Sequence, residues 1–136
     1  MYVIGKTFEF EAAHSLPHLP PEHKCANQHG HSYRVHLIFQ SDVLLDGFVF
    51  DYGDLSLFKQ YVDDNLDHRD LNNVVDVSSA EMLASFLFDR LQQFRAKTPD
   101  TDHWRWVDDL HTVVVQETRK TFAAYSPYEY PIVWTS

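Results

Sequence analysis

Two runs of alternating residues, separated by a segment that cannot be regular, restrict this chain more than any other feature. Tyr2, Ile4, Phe8 and Phe10 alternate with Val3, Gly5, Thr7 and Glu9, the two-residue period of a strand covered on one face. Ser32 to Gln40 repeats the period, with Tyr33, Val35, Leu37 and Phe39 on one side and Arg34, His36, Ile38 and Gln40 on the other. Between them Pro17, Pro20 and Pro21 exclude helix and ladder until about Asn27. The simplest solution is an antiparallel hairpin closed by a long irregular loop, with the two roots of the loop side by side.

That loop and its roots, His14 to His31, hold five of the nine histidines and the only cysteine. His29 and His31 are two apart on a strand and face the same way. His14 closes the first run, so pairing brings it beside them. Three neutral imidazoles around one open position are the donor set of a catalytic zinc, the fourth place being kept for water or substrate. Cys25 then hangs over the site from the loop, as a reactive thiol, an inert one, or a fourth ligand of a closed structural site. His18, His36, His103 and His111 read as surface or core histidines, and His23 as a loop residue.

Past a turn at Asp46-Gly47, Phe48 to Asp51 is expected to extend or restart the second strand. Leu55, Phe58, Tyr61, Val62 and Leu66 then fall at helical spacing. Asp67 to Asn73 is a polar loop and a second candidate site. Ser78 with Glu81 predicts a capping box, starting a second helix near Ser79 that runs to about Phe94. Thr98 to Asp109 reads as a loop or helix extension. Leu110 to Thr118 is a strand with Glu117 inside it, and Thr121 to Tyr125 is its hairpin partner. The tail from Ser126 to Ser136 carries Pro127 and Pro131 and reads as an edge or docking segment. The order β-β-α-α-β-β predicts one α+β domain over residues 1–136: an antiparallel four-stranded sheet with two helices on one face.

A chain of 136 residues buries a core without disulfides. The net charge of −9 argues against a nucleic-acid binder, although Lys24 and Arg69 could hold a phosphorylated small molecule. No apolar run has the length of a membrane span. The start of the chain lacks the basic and apolar pattern of a secretory signal, and a single cysteine leaves no mark of an oxidising compartment, so the expected setting is soluble and cytoplasmic.

With these residues in view, the chain resembles the 6-pyruvoyltetrahydropterin synthase superfamily, and within it the 6-carboxytetrahydropterin synthases of the queuosine pathway. The matching pieces are Phe10-Glu11-Ala12-Ala13-His14, His23-Lys24-Cys25, His29-Gly30-His31-Ser32-Tyr33, Val49-Phe50-Asp51-Tyr52, Leu66 to Asn72, and Gln116-Glu117-Thr118. The resemblance implies His14, His29 and His31 as Zn2+ ligands, Cys25 as catalytic thiol, Asp67 and His68 as its acid/base partners, and Glu117 as the anchor of a pterin ring. It also implies the tunnelling fold, in which three subunits close their sheets into a barrel and two trimers stack into a homohexamer, with active sites between subunits.

The implied reaction is conversion of 7,8-dihydroneopterin triphosphate to 6-carboxy-5,6,7,8-tetrahydropterin with release of acetaldehyde and triphosphate. The alternatives are the pyruvoyl-forming synthase, which eliminates triphosphate only, and a non-catalytic pterin-binding module. The compact His-Ser-Leu-Pro-His and His-Lys-Cys loop resembles the carboxy-forming branch. Ser78-Ser79 and Met82 depart from the Pro-Thr and Asn found in many members.

Overall fold

The computed structural model describes residues 1–135. Its frame is the expected hairpin, carried to full length. β1 (Tyr2–His14) and β2 (His29–Ser41) pair antiparallel from Tyr2 opposite Ser41 to His14 opposite His29. Because side chains alternate between faces, this register puts Phe8, Phe10, Ala12, Tyr33, Val35, Leu37 and Phe39 on one buried face, and His14, His29 and His31 at the end of that same face.

The buried face is closed by α1 (Ser56–Asn65) and α2 (Ala80–Lys97). α1 contributes Phe58 and Val62, and Phe58 meets the Phe8 ring edge to face at 4.8 Å. α2 contributes Leu83, Ala84, Leu87, Phe88 and Leu91, one apolar stripe of an amphipathic helix. β4 (Leu110–Gln116) lies beside β2, and β5 (Ala123–Tyr125) beside β4.

The sheet differs from expectation in one respect. It is five-stranded and mixed, in the order β3-β1-β2-β4-β5, since Arg69–Asp70 forms a short β3 parallel to β1. Two residues carry no readable alternation, which is why the segment reads as a loop. The sheet is open, with β3 and β5 at its edges.

Local corrections follow the same logic. Phe48 to Asp51 does not restart a strand: Asp46 and Gly47 both adopt positive φ, of 54° and 88°, and close a tight turn in which Leu45 and Phe48 exchange backbone hydrogen bonds. The Tyr52–Leu55 segment is a 3-10 turn leading into α1. α2 is capped by Ser79, whose hydroxyl accepts from the Met82 N–H, and not by Ser78. β4 ends at Gln116, so Glu117 stands just beyond the strand.

The tail docks on its own sheet. On the face opposite the helices, Thr112 accepts a hydrogen bond from the Ile132 N–H, and Trp134 meets the His36 ring at 5.1 Å. His36 is fully buried there, and its two nitrogens are satisfied by one neutral tautomer: the Thr7 hydroxyl donates to Nδ1 and Nε2–H donates to the Gln116 side-chain oxygen. Burial, opposed by the Gln116 hydrogen bond and reinforced by Arg34, holds the His36 pKa below the ordinary imidazole value.

Two predictions follow. Phe58→Ala opens a cavity under β1 and costs about 3–5 kcal/mol in a urea melt. For His36 the unfolded chain takes up a proton near the ordinary value while the folded chain refuses it. Its contribution is therefore intact above about pH 6.5 and lost as pH falls below it. The urea midpoint of metal-free protein should drop between about pH 7.5 and about pH 5.5, with a shallower fall in His36→Gln.

Candidate active site

At the end of the β1–β2 hairpin the three histidines converge. Their side-chain nitrogens lie within 4.8 Å of one another, with His14 buried and His29 and His31 half-buried. Two of the outer ring nitrogens have a fixed task. His14 Nδ1 is 2.8 Å from the Ser78 carbonyl and His29 Nδ1 is 2.8 Å from the Asn27 carbonyl. A carbonyl only accepts, so both Nδ1 atoms carry the proton and both Nε2 atoms present lone pairs. Those two lone pairs face each other at 3.0 Å.

Two acceptors at that distance repel unless a cation lies between them. A tetrahedral ion with Zn–N bonds of about 2.0–2.1 Å holds its nitrogens roughly 3.3 Å apart, close to the spacing observed. His31 supplies a third nitrogen, Nε2, which is buried and has no hydrogen-bond partner among the described residues. Burial first, then the charges of His14 and His29, lower the His31 pKa. The ring is thereby kept in the neutral form that a metal requires. The donor set fits a divalent ion of borderline softness with one position open.

The support behind the ligands was not evident from the sequence. Ser78, read as a helix cap, is instead buried beneath His14, offering it both carbonyl and hydroxyl. Asn72 clamps the residue after His14 from both sides, its amide donating to the Ser15 carbonyl and its oxygen accepting from the Ser15 N–H. Such outer contacts orient a ligand and select its tautomer. Only the place of Asn72 in the polar Asp67 to Asn73 loop hinted at this.

Cys25 lies on a 3-10 turn, Lys24–Ala26, half-buried and outside the three-histidine cluster. Its N–H donates to His23 Nδ1 and its carbonyl accepts from the Leu16 N–H. The loop is thus pinned to itself near the thiol, with His23 as a cap.

Glu117 stands immediately after β4 with its carboxylate 3.7 Å from His31 Nε2 and within hydrogen-bonding reach of the Ala80 N–H at the start of α2. Its pKa is raised by burial, with His14, His29 and Ala80 pulling down and Glu81 pushing up. Tyr33, next along β2, is fully buried and its phenol pKa is raised by burial and by the nearby Glu117.

Asp67 and His68 are placed together, 3.6 Å apart, on the outer edge of β1. The Asp67 carboxylate accepts from the Glu11 N–H, and the His68 N–H donates to the Glu11 carbonyl at 2.6 Å. This grip holds His68 in a left-handed conformation, φ 57°, unusual for a side chain with a Cβ. The His68 side chain is 79% exposed. A cleft of about 550 Å³ lined by Glu11, Gly30, His31, Ser32, His68 and Arg69 runs along this edge. The chain therefore gathers His14, His29, His31 and Glu117 at one end of the sheet, and presents Asp67 and His68 at a rim.

Known proteins resemble this chain in sequence and in fold. A family model described as 6-pyruvoyl tetrahydropterin synthase matches residues 3–128. A Synechocystis sp. protein named 6-carboxy-5,6,7,8-tetrahydropterin synthase is 35% identical, over 98% of this chain and 100% of its own length. A Bacillus subtilis protein of the same name is 27% identical over 93% of this chain and 86% of its own. Among solved structures, Caenorhabditis elegans 6-pyruvoyl tetrahydropterin synthase superposes with a TM-score of 0.74 at 25% identity, covering 93% of this chain and 96% of that one.

Purified protein dialysed against zinc should hold about one ion per chain. His14→Ala should lose it, and Asn72→Ala should weaken it by about 10-fold through the slackened Ser15 clamp. Competition with a chromophoric chelator measures both.

Proposed function

The chain belongs to the 6-pyruvoyl tetrahydropterin synthase family, and we propose that it converts 7,8-dihydroneopterin triphosphate and one water to 6-carboxy-5,6,7,8-tetrahydropterin, releasing acetaldehyde and triphosphate. The ligands of its zinc are His14, His29 and His31. The observation that carries the reading is the meeting of three imidazole nitrogens with the Glu117 carboxylate at one end of the sheet. The likeness to the Synechocystis protein over both whole lengths supports the carboxy-forming branch.

Zinc, when bound, supplies a Lewis acid that acidifies the substrate's side-chain hydroxyls and stabilises charge left by deprotonation of a neighbouring carbon. Cys25, as thiolate, would remove that proton. Asp67 orients His68, and His68 returns protons to the substrate. Glu117 accepts the ring N–H and exocyclic amino group side by side, the two-donor edge that a single carboxylate matches. Serving a zinc site from an exposed rim suits a neighbouring subunit. Asp67 and His68 therefore act across an interface, in a cytoplasmic homohexamer whose trimers close the free edges at β3 and β5.

Mass analysis of products from zinc-loaded protein and 7,8-dihydroneopterin triphosphate tests the reading. The expected result is the carboxylated pterin with acetaldehyde. A pyruvoyl product without acetaldehyde would move the chain to the pyruvoyl-forming branch, and bound pterin with no turnover would make it a binding module. Cys25→Ala should lower turnover by about 10²–10⁴-fold while zinc stays in place. Loss of the ion from that variant would make Cys25 a ligand instead.

A further inference from the structure

Tyr33 occupies the row next to the metal ligands. Along the core face of β2 the order is His29, His31, Tyr33. β4 ends at Gln116, which pairs with Arg34, so Glu117 is the residue that leaves the strand next to the Tyr33 row, near enough for its charge to act on the phenol. On the other side Phe10 is the pairing partner of Tyr33, and their rings stack at 5.0 Å and 7°. The His31 and His14 rings stand edge-on at 5.5 and 6.0 Å.

Within this enclosure Tyr33 is 0% exposed, and its hydroxyl has no hydrogen-bond partner among the described residues. A sealed, unpaired hydroxyl is a lost hydrogen bond, and phenylalanine would pack in the same space without that loss. The oxygen is explained by something it gives to the site. A phenol gives a proton. The inner nitrogens of the histidines face the metal position, which leaves the Glu117 carboxylate as the acceptor in the adjoining row.

The capacity of that carboxylate matches. Two carboxylate oxygens offer about four acceptor positions. The Ala80 N–H uses one, and a two-donor ring edge uses two more. One is left.

We propose that Tyr33 is a positioning residue whose O–H, unpaired here, turns to the Glu117 carboxylate when a pterin-type ring is seated, fixing the plane in which that carboxylate receives the ring's paired N–H donors. This rests on Glu117 being the ring's anchor.

Tyr33→Phe removes one oxygen and keeps the stack on Phe10. The test compares zinc-loaded wild type, Tyr33→Phe, Glu117→Gln and the double variant by fluorescence titration with neopterin, alongside zinc content and thermal midpoint. The expected result is an unchanged or higher midpoint, unchanged zinc, and a Kd for neopterin raised about 10-fold or more in Tyr33→Phe. The double variant should bind no more weakly than Glu117→Gln alone, because the phenol acts through the carboxylate. An unchanged Kd in Tyr33→Phe, or losses that add in the double variant, overturns the positioning role and leaves the anchor intact. Neopterin affinity indifferent to Glu117→Gln overturns the anchor itself, and the role of Tyr33 with it.

Discussion

The register of one strand pair carries the rest of the molecule. Setting His14 opposite His29 decides at one stroke which side chains enter the core and which nitrogens meet at its end. A slip of one residue would turn the imidazoles of one strand to the far face, and Phe8, Phe10 and Ala12, or their β2 partners, away from the helices. Burial of the aromatic face and assembly of the histidine cluster are therefore one event. The stability of the core keeps the three nitrogens together, against the repulsion of lone pairs that face each other at 3.0 Å.

The second arm of the site depends on the first. Asp67 and His68 are held by the backbone of Glu11, a β1 residue on the face opposite the ligands, and β3 joins β1 just beyond them. Glu117 arrives through β4, whose pairing to β2 sets how far along the sheet its carboxylate reaches. Distant segments of sequence reach the site because each is tied to the central hairpin.

What the sequence disclosed follows from what leaves a periodic trace. The alternation of Tyr2 to Phe10 and of Ser32 to Gln40 announced the hairpin, and the helical spacing of Phe58, Tyr61 and Val62 announced α1. The short β3 leaves none, so the sequence alone predicts an antiparallel sheet. Ser78 and Ser79 are adjacent serines of equal capping propensity, and the choice between them was made by burial under His14, a long-range fact. The ligands stood out by residue type and spacing. Their supports, Ser78, Asn72 and the Asn27 carbonyl, did not, since carbonyls and small polar side chains acquire meaning only from what lies opposite. Likewise the tail had no pattern of its own, and its docking depends on the gap between Gly5, His36 and Thr112.

The loop between the two strands deserves a mechanical reading. His14 and His29 stand on paired strands, whereas the thiol rides on a single turn joined to the frame at its roots and tied to itself through Leu16 and His23. The histidine cluster and the thiol thus rest on supports of different stiffness. Changes of length or composition in the loop can shift the thiol relative to the three histidines without disturbing their cluster. Divergence among descendants of such a scaffold would then accumulate in the loop while the histidine-bearing hairpin stays as it is.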